Sequence, residues 1–350
     1  EKKKTAREII EGYDGPPVRI MEVCGTHTHE IFRLGIRKLL PEQVELISGP
    51  GCPVCVTQVG FIDEAIYLAL ERQVTICTFG DLVRVPGTNM SLAGAREKGA
   101  KIRIVYSPVD AKEYAKEHPK EQVTFLSVGF ETTTPSACLS VKKAREEGLT
   151  NYSILTANKT MPQAYEALKG SADIFLYPGH VNAITGTKLC EELAKEGVSG
   201  VVAGFTAKEL LTALAVALAR FQEGRPFFVN CYPRVVTENG SPQAQKLVEE
   251  MMEPCDSEWR GLGVIKGSGM RLQEEWSAFD ARKKYKIPPI QGKANPAWRC
   301  GDVLQGKCKP SDCKVFGKVC TPQHPVGACM VSGEGACSAY YMYGEAEKMK

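Results

Sequence analysis

Three stretches of the chain hold residues whose types and spacing could do chemistry. Cys24-Gly-Thr-His27-Thr-His29-Glu30 packs a thiol, two imidazoles and a carboxylate into seven residues, a composition that packing alone seldom requires. If the segment is extended, His27 and His29 point the same way and could grip a divalent metal, as hydrolases do after a first strand. On a helix the two would diverge by about 200°. An imidazole beside a reactive thiolate could instead orient it or carry its proton. Gly51-Cys52-Pro53-Val54-Cys55 is a CxxC between an expected strand and an expected helix. A helix N-terminus lowers a thiol's pKa, which suits metal ligation or disulfide exchange. No second CxxC completes a structural zinc site.

The third stretch is the tail. Six of the fourteen cysteines (Cys300, Cys308, Cys313, Cys320, Cys329 and Cys337) fall at the C-terminal end, separated by seven, four, six, eight and seven residues. These intervals match neither zinc knuckles nor the common ferredoxin patterns. From about residue 292 there is little helical or strand periodicity, so something other than an apolar core must hold the segment together. A four-thiolate iron–sulfur cluster plus a spare pair of thiols would supply that folding energy. A disulfide framework belongs to exported chains, and the start EKKKTAREIIEG has no apolar export core, so a cytoplasmic protein is expected. Cys77, Cys138, Cys190, Cys231 and Cys255 read as single buried thiols.

These residues need elements to position them. Val18–Val23, Val44–Ile47, Gln73–Thr78, Val123–Val128, Ala172–Leu176 and Gly200–Gly204 read as short strands. Amphipathic stretches alternate with them, including one with Phe32, Ile36, Leu39 and Leu40 on a face, one from about Val59 and one over Thr206–Phe221. That alternation predicts an α/β fold with parallel sheets. Ligands in such folds bind beyond the carboxyl ends of strands, where Cys24, the CxxC, Gly129-Phe-Glu131 and Tyr177-Pro-Gly-His180 all fall. VRIMEVCGTHTHE and VTFLSVGFETTTP run in parallel, which hints at a duplicated unit. The expected organisation is two similar parallel-sheet α/β domains, 1–120 and 121–240, followed by 241–350. The last comprises a helical and loop connector and a loop-rich iron–sulfur region.

Composition excludes several classes. A 350-residue chain suits about two domains. Forty-four Lys and Arg against 41 Asp and Glu leave +3, too balanced for a nucleic-acid footprint. The basic start Lys2-Lys3-Lys4 reads as a solvated end. The longest apolar run, Leu210–Ala219, is too short to span a bilayer. No phosphate-cradling glycine loop follows a strand, so no nucleotide site is indicated.

Taken together, Cys24-Gly-Thr-His-Thr-His29, Gly49-Pro-Gly-Cys-Pro-Val-Cys55, Gly129-Phe-Glu-Thr-Thr-Thr-Pro135, Pro178-Gly-His-Val181 and the tail from Phe316-Gly-Lys-Val-Cys-Thr-Pro322 to Cys329-Met-Val-Ser-Gly-Glu-Gly-Ala-Cys337 closely resemble the HypD family of [NiFe]-hydrogenase maturation factors. The resemblance runs over nearly the whole chain. It implies two α/β domains, a C-terminal [4Fe-4S] cluster, and a scaffold on which an iron carrying CN and CO ligands, Fe(CN)2CO, is assembled in complex with HypC. Cyanide would come from HypE. By the same likeness Cys24 would hold the iron jointly with a HypC thiol. Cys52 and Cys55 would be further ligands or a redox pair, with His27 and His29 nearby. Glu131 and the Thr132–Thr134 hydroxyls could hydrogen-bond bound cyanide. Cys300, Cys313, Cys320 and Cys329 are the favoured cluster ligands, leaving Cys308 and Cys337 as a potential disulfide. Two other readings stay open: a metal hydrolase built on His27, His29 and His180, and a cluster-fed thiol–disulfide oxidoreductase using Cys52 and Cys55.

Overall fold

The computed structural model describes residues 4–344. Lys2 and Lys3 of the basic start lie outside them, and Lys4 is exposed. The strands, in chain order, are β1 (Val18–Glu22), β2 (Val44–Ser48), β3 (Thr75–Thr78), β4 (Ile102–Ile104), β5 (Val123–Gly129), β6 (Tyr152–Asn158), β7 (Ile174–Pro178), β8 (Ser199–Ala203), β9 (Phe228–Asn230), β10 (Met252–Trp259) and β11 (Gly263–Leu272). They form a five-stranded sheet, β2-β1-β7-β8-β9, and a four-stranded sheet, β4-β3-β5-β6. Every pairing within the two is parallel. The fold is thus α/β with two parallel sheets. β5 and β6 are buried at every position, as a strand covered by helices on both faces must be. Among the described residues no helix is long and apolar enough to cross a membrane.

The division at residue 120 does not follow the sheets. β1 and β2 share a sheet with β7, β8 and β9, whereas β3 pairs with β5, Thr75 beside Val123. The chain leaves the first sheet after β2, builds the whole second sheet, and returns at β7. Hydrophobic periodicity reports that a segment is a strand but not which strand it will pair with. The stretch expected as a connector also holds an antiparallel hairpin, β10–β11. Its first strand, Met-Glu-Pro-Cys-Asp-Ser-Glu-Trp, is poor in β-formers, and only its ends, Met252 and Trp259, are buried.

That hairpin is the clamp of the molecule. Trp259 is fully buried, bridges Thr57 and stacks near Phe130 of the other sheet's loop. Lys159, at the end of β6, buries its ammonium on Ser257 Oγ and Glu258 O, both at 2.7 Å. The tail has only short helices, Cys300–Leu304, Ala328–Val331 and Ala336–Tyr343. Its Cys329 and Met330 are buried in one apolar cluster with Val23, Cys55, Phe130, Tyr177 and Trp259. The tail therefore borrows its core from both sheets.

The hairpin turn meets the tail backbone to backbone. Gly261 has φ +79°, and a Cβ built there would lie 2.2 Å from Gly301 Cα. Gly261→Ala combines a left-handed backbone with a steric clash and is expected to cost about 2–4 kcal/mol. Denaturant unfolding would measure it, and a change under 1 kcal/mol would show that this contact is not a clamp.

Candidate thiol and metal site

Cys24 sits at the end of β1, where the chain turns directly into the helix Gly25–Arg33. Its side chain makes no capping hydrogen bond; the nearby amides of Thr26 and His27 favour the thiolate, yet burial is the larger effect and pushes the thiol up to about 12. Two contacts fix its place. Gly51 passes so close that a Cβ there would lie 2.2 Å from Cys24 N. The fully buried Glu22 accepts from Thr28 Oγ1 (2.8 Å) and Ser48 Oγ (3.1 Å) and pairs with Arg37 (2.6 Å), pinning the strand end to the helix.

Because this segment is helical, the two histidines part, as the helical alternative required. His27 is fully buried, and its Nε2–H donates to Ala203 O (3.2 Å) and Gly204 O (3.0 Å). Burial lowers it to about 4, so it is neutral near pH 7. His29 faces the tail, with Nδ1–H donating to Gly333 O at 3.0 Å and its ring edge-on to Tyr343. His180 is exposed and, like His27, stacks on the ring of Phe205. The three imidazoles do not converge. Among the described residues no three His, Cys, Asp or Glu side chains gather to hold a single metal ion. The histidine-ligated metal centre is therefore not formed.

Cys52 caps the short helix Pro53–Val56, and its Sγ receives the amide of Cys55 at 3.4 Å. It lines an open cleft of about 780 Å³ with Thr26, His29, Phe79, Tyr106 and Glu334. That cleft is walled by loops at the carboxyl ends of strands from both sheets. Cys55 lies behind Cys52, fully buried, with its thiol donating to Ala328 O at 3.9 Å and within electrostatic reach of Cys52 and Cys329. Cys329 in turn is within electrostatic reach of Cys300 and Cys337. The thiols thus form a continuous row from the cleft to the tail. Burial and thiol neighbours push Cys55 and Cys300 upward, so both are held as thiols.

Cys300, Cys313, Cys320 and Cys337 line one apolar cavity with Trp298, Phe316 and Met330. Cys308 lies in a different groove, beside β2 and Lys309, although it is near enough to Cys313 to feel its charge. All fourteen cysteines are free, so the Cys308–Cys337 disulfide is not formed.

The Glu131 carboxylate accepts the amide of Met161 at 2.9 Å through Oε1, while Oε2 is shielded and unpartnered. Burial raises it to about 7. The Thr133 and Thr134 hydroxyls are turned back onto Phe130 O (3.3 and 2.9 Å), so they cap their own turn rather than face the cleft. Two residues escaped the sequence reading. Glu334 accepts from Thr26 Oγ1 at 2.6 Å, against the backbone next to Cys24. An acid flanked by glycines between two tail cysteines was the available signal. Tyr165 is buried with an unpartnered hydroxyl, within electrostatic reach of both Cys24 and Glu131. An aromatic on a helix carried no signal beyond core packing.

Fold and site together define a two-sheet α/β protein with buried thiols gathered between an open cleft and the C-terminal segment. Residues 1–344 match the profile of the HypD (hydrogenase formation hypA) family. The chain is 42% identical to the hydrogenase maturation factor HypD of Cupriavidus necator, covering 95% of this chain and 92% of that one. It is 44% identical to the HypD of Rhodobacter capsulatus, over 94% and 90% of the two chains. Identity to the HypD of Escherichia coli K12 is 43%, over 95% and 90%. The chain belongs to the HypD family, and its work is hydrogenase maturation.

The folded state keeps Glu131 protonated to about pH 7, whereas an unfolded glutamic acid ionises near pH 4.3. Its raised pKa therefore makes stability decline as pH rises from about 4.5 to 7, by about 1–3 kcal/mol. Glu131→Gln should flatten that decline in denaturant titrations at pH 5, 6 and 7. A slope unchanged from the parent chain would contradict the burial argument.

Proposed function

We propose that this chain is the scaffold on which Fe(CN)2CO is assembled with HypC, using cyanide brought by HypE and redox capacity from a [4Fe-4S] cluster and the thiols. The observation that carries the reading is the row Cys52–Cys55–Cys329–Cys300, which starts in the cleft at Cys24's helix and ends at a cavity lined by four thiols. The iron group is cargo in this scheme. Cys24, presented at a strand end and a helix N-terminus, would attach it. A thiolate is a soft ligand suited to iron carrying strong-field diatomic groups, and attachment through few ligands permits handover. Tyr165, whose unpartnered hydroxyl is within electrostatic reach of Cys24, and Glu131, whose protonated form persists to about pH 7, would supply hydrogen-bond donors there.

The tail cavity fits a cluster by its chemistry: its donors are all sulfur, its other walls are mainly apolar, and the segment has no core of its own. Cys313, Cys320 and Cys337 would be three ligands. Cys300, which lines the cavity, and Cys308, next to Cys313, compete for the fourth. This departs from the set that included Cys329, because Cys329 does not line the cavity and lies within reach of Cys55 as well as of Cys300 and Cys337, where it would link cavity and CxxC. A bound cluster would supply one-electron transfer. The Cys52–Cys55 dithiol would reduce a disulfide brought to the cleft by thiol–disulfide exchange, becoming a disulfide itself, and two one-electron steps from the cluster with two protons would restore it.

Iron, acid-labile sulfide and zinc would be measured on the anaerobically purified chain, with infrared spectra in the CN and CO region before and after adding HypC. About four irons and four sulfides are expected, with CN and CO bands on extra iron in the complex. Cys24→Ala should keep the sulfide and lose the bands; Cys313→Ala should lose the sulfide. Zinc without sulfide would overturn the cluster. Reduction of generic disulfides by the chain alone, without CN or CO bands in any complex, would favour the oxidoreductase reading that the thiol row also supports.

A further inference from the structure

Arg260, in the turn of the β10–β11 hairpin, is a buried cation whose fork has no partner. It is 5% exposed. Its backbone amide donates to Val56 O at 2.8 Å and its Nε to Thr57 O at 2.7 Å, which fixes it immediately after the CxxC. Its guanidinium carbon stands 5.7 Å from the ring centre of Trp298, a wall of the cysteine cavity. The next residue, Gly261, abuts Gly301, the neighbour of Cys300. Both terminal nitrogens, Nη1 and Nη2, are fully shielded and make no hydrogen bond.

An arginine cannot shed its proton to escape such a position. A buried charge left without a counter-charge is costly enough that it is retained only where something repays it. The groups that act on it electrostatically are Cys300, Cys329, Cys55 and, with the smallest effect, Glu258, which is exposed. Among the described residues no buried carboxylate answers the guanidinium. The negative charge at this place would have to reside on sulfur, and thiols become thiolates when they bind metal.

Resting on the reading that the tail cavity holds a [4Fe-4S] cluster, we propose that Arg260 is a positioning residue that supplies the counter-charge to the thiolates at the junction of the cavity and the Cys55–Cys329 contact, raising the cluster's reduction potential. Reduction adds one electron to a group that is already anionic. A fixed cation with two free NH2 groups favours the more negative state, both through its charge and through N–H to sulfur hydrogen bonds. It would thereby set how readily electrons rest next to the thiol row.

The test is potentiometric titration of the full chain, followed by electron paramagnetic resonance with dithionite as reductant, for the parent, Arg260→Met and Arg260→Lys. Iron and sulfide are assayed on each sample. Arg260→Met, similar in length and uncharged, is expected to keep its sulfide and become harder to reduce by at least tenfold in the equilibrium, about 59 mV for one electron. Arg260→Lys keeps the charge and should recover most of that shift. Arg260→Met titrating with the parent would overturn the proposal. So would equal shifts in the two variants, which would make the effect one of packing. If Arg260→Met does not fold, Arg260→Gln takes its place with the same expected direction. A parent chain without sulfide would instead defeat the cluster reading itself, and the two failures are thereby told apart.

Discussion

Cys329 and Met330 lie in the same apolar cluster as Val23 at the end of β1, Phe130 beyond β5 and Trp259 of the hairpin. No part of the tail from residue 292 could bury that much apolar surface alone, since its helices are short and its connections are turns. Seating the segment in the seam therefore does two things at once. It gives the tail a core, and it brings Cys329 against Cys55, far from it in sequence. The geometry of the thiol row depends on this seating, and so does the cleft, whose lower lip is Ser332–Glu334.

Burial is the largest influence on Cys24, Cys55, His27 and Glu131, whereas at Cys300 the neighbouring Cys329 thiol outweighs it. Cys24, Cys55 and Cys300 are held as thiols, His27 as a neutral imidazole and Glu131 as a neutral acid until about pH 7. Desolvation penalises the charged form of each, so these site groups carry little charge before loading. Arg260 is the exception, and it stands where thiols from three parts of the chain meet. Binding a metal would reverse the balance there, because coordinated thiols are anions. A neutral interior that becomes charged upon loading is a physical route by which cargo or cluster could stabilise the closed seam.

The helix starting at Gly25 determines the role open to each histidine. Its buried face takes His27, Thr28, Ile31 and Phe32 and leaves His29 on the side of the tail. Glu209 completes the arrangement: it accepts the amides of Phe205 and Thr206 and pairs with Arg234, so the carbonyl of Gly204 stays where His27 can reach it. The histidine next to Cys24's helix turn is thus held by backbone acceptors and an aromatic stack, an arrangement suited to fixing a helix rather than ligating an ion.

The linear pattern of residues was enough to establish the parallel α/β class, most of the strands, the loops that carry Cys24, Cys52, Cys55, Glu131 and His180, and the resemblance to the HypD family. These are local properties: a buried strand must be apolar, a loop past its carboxyl end can afford reactive residues, and long ordered motifs are specific. Four things were settled only in three dimensions. β7 rather than β3 pairs with β1, because pairing partners are chosen by crossover and packing. Helix formation at Gly25 separates His27 from His29, because apolar contacts of Ile31 and Phe32 extend the helix back to Cys24. The thiol row and the unpaired fork of Arg260 arise from residues more than 200 positions apart, and periodicity holds no information at that range. The tail cysteines sort into cavity, link and outlying groove, because turns rather than regular elements set their directions, and spacing alone does not fix a turn.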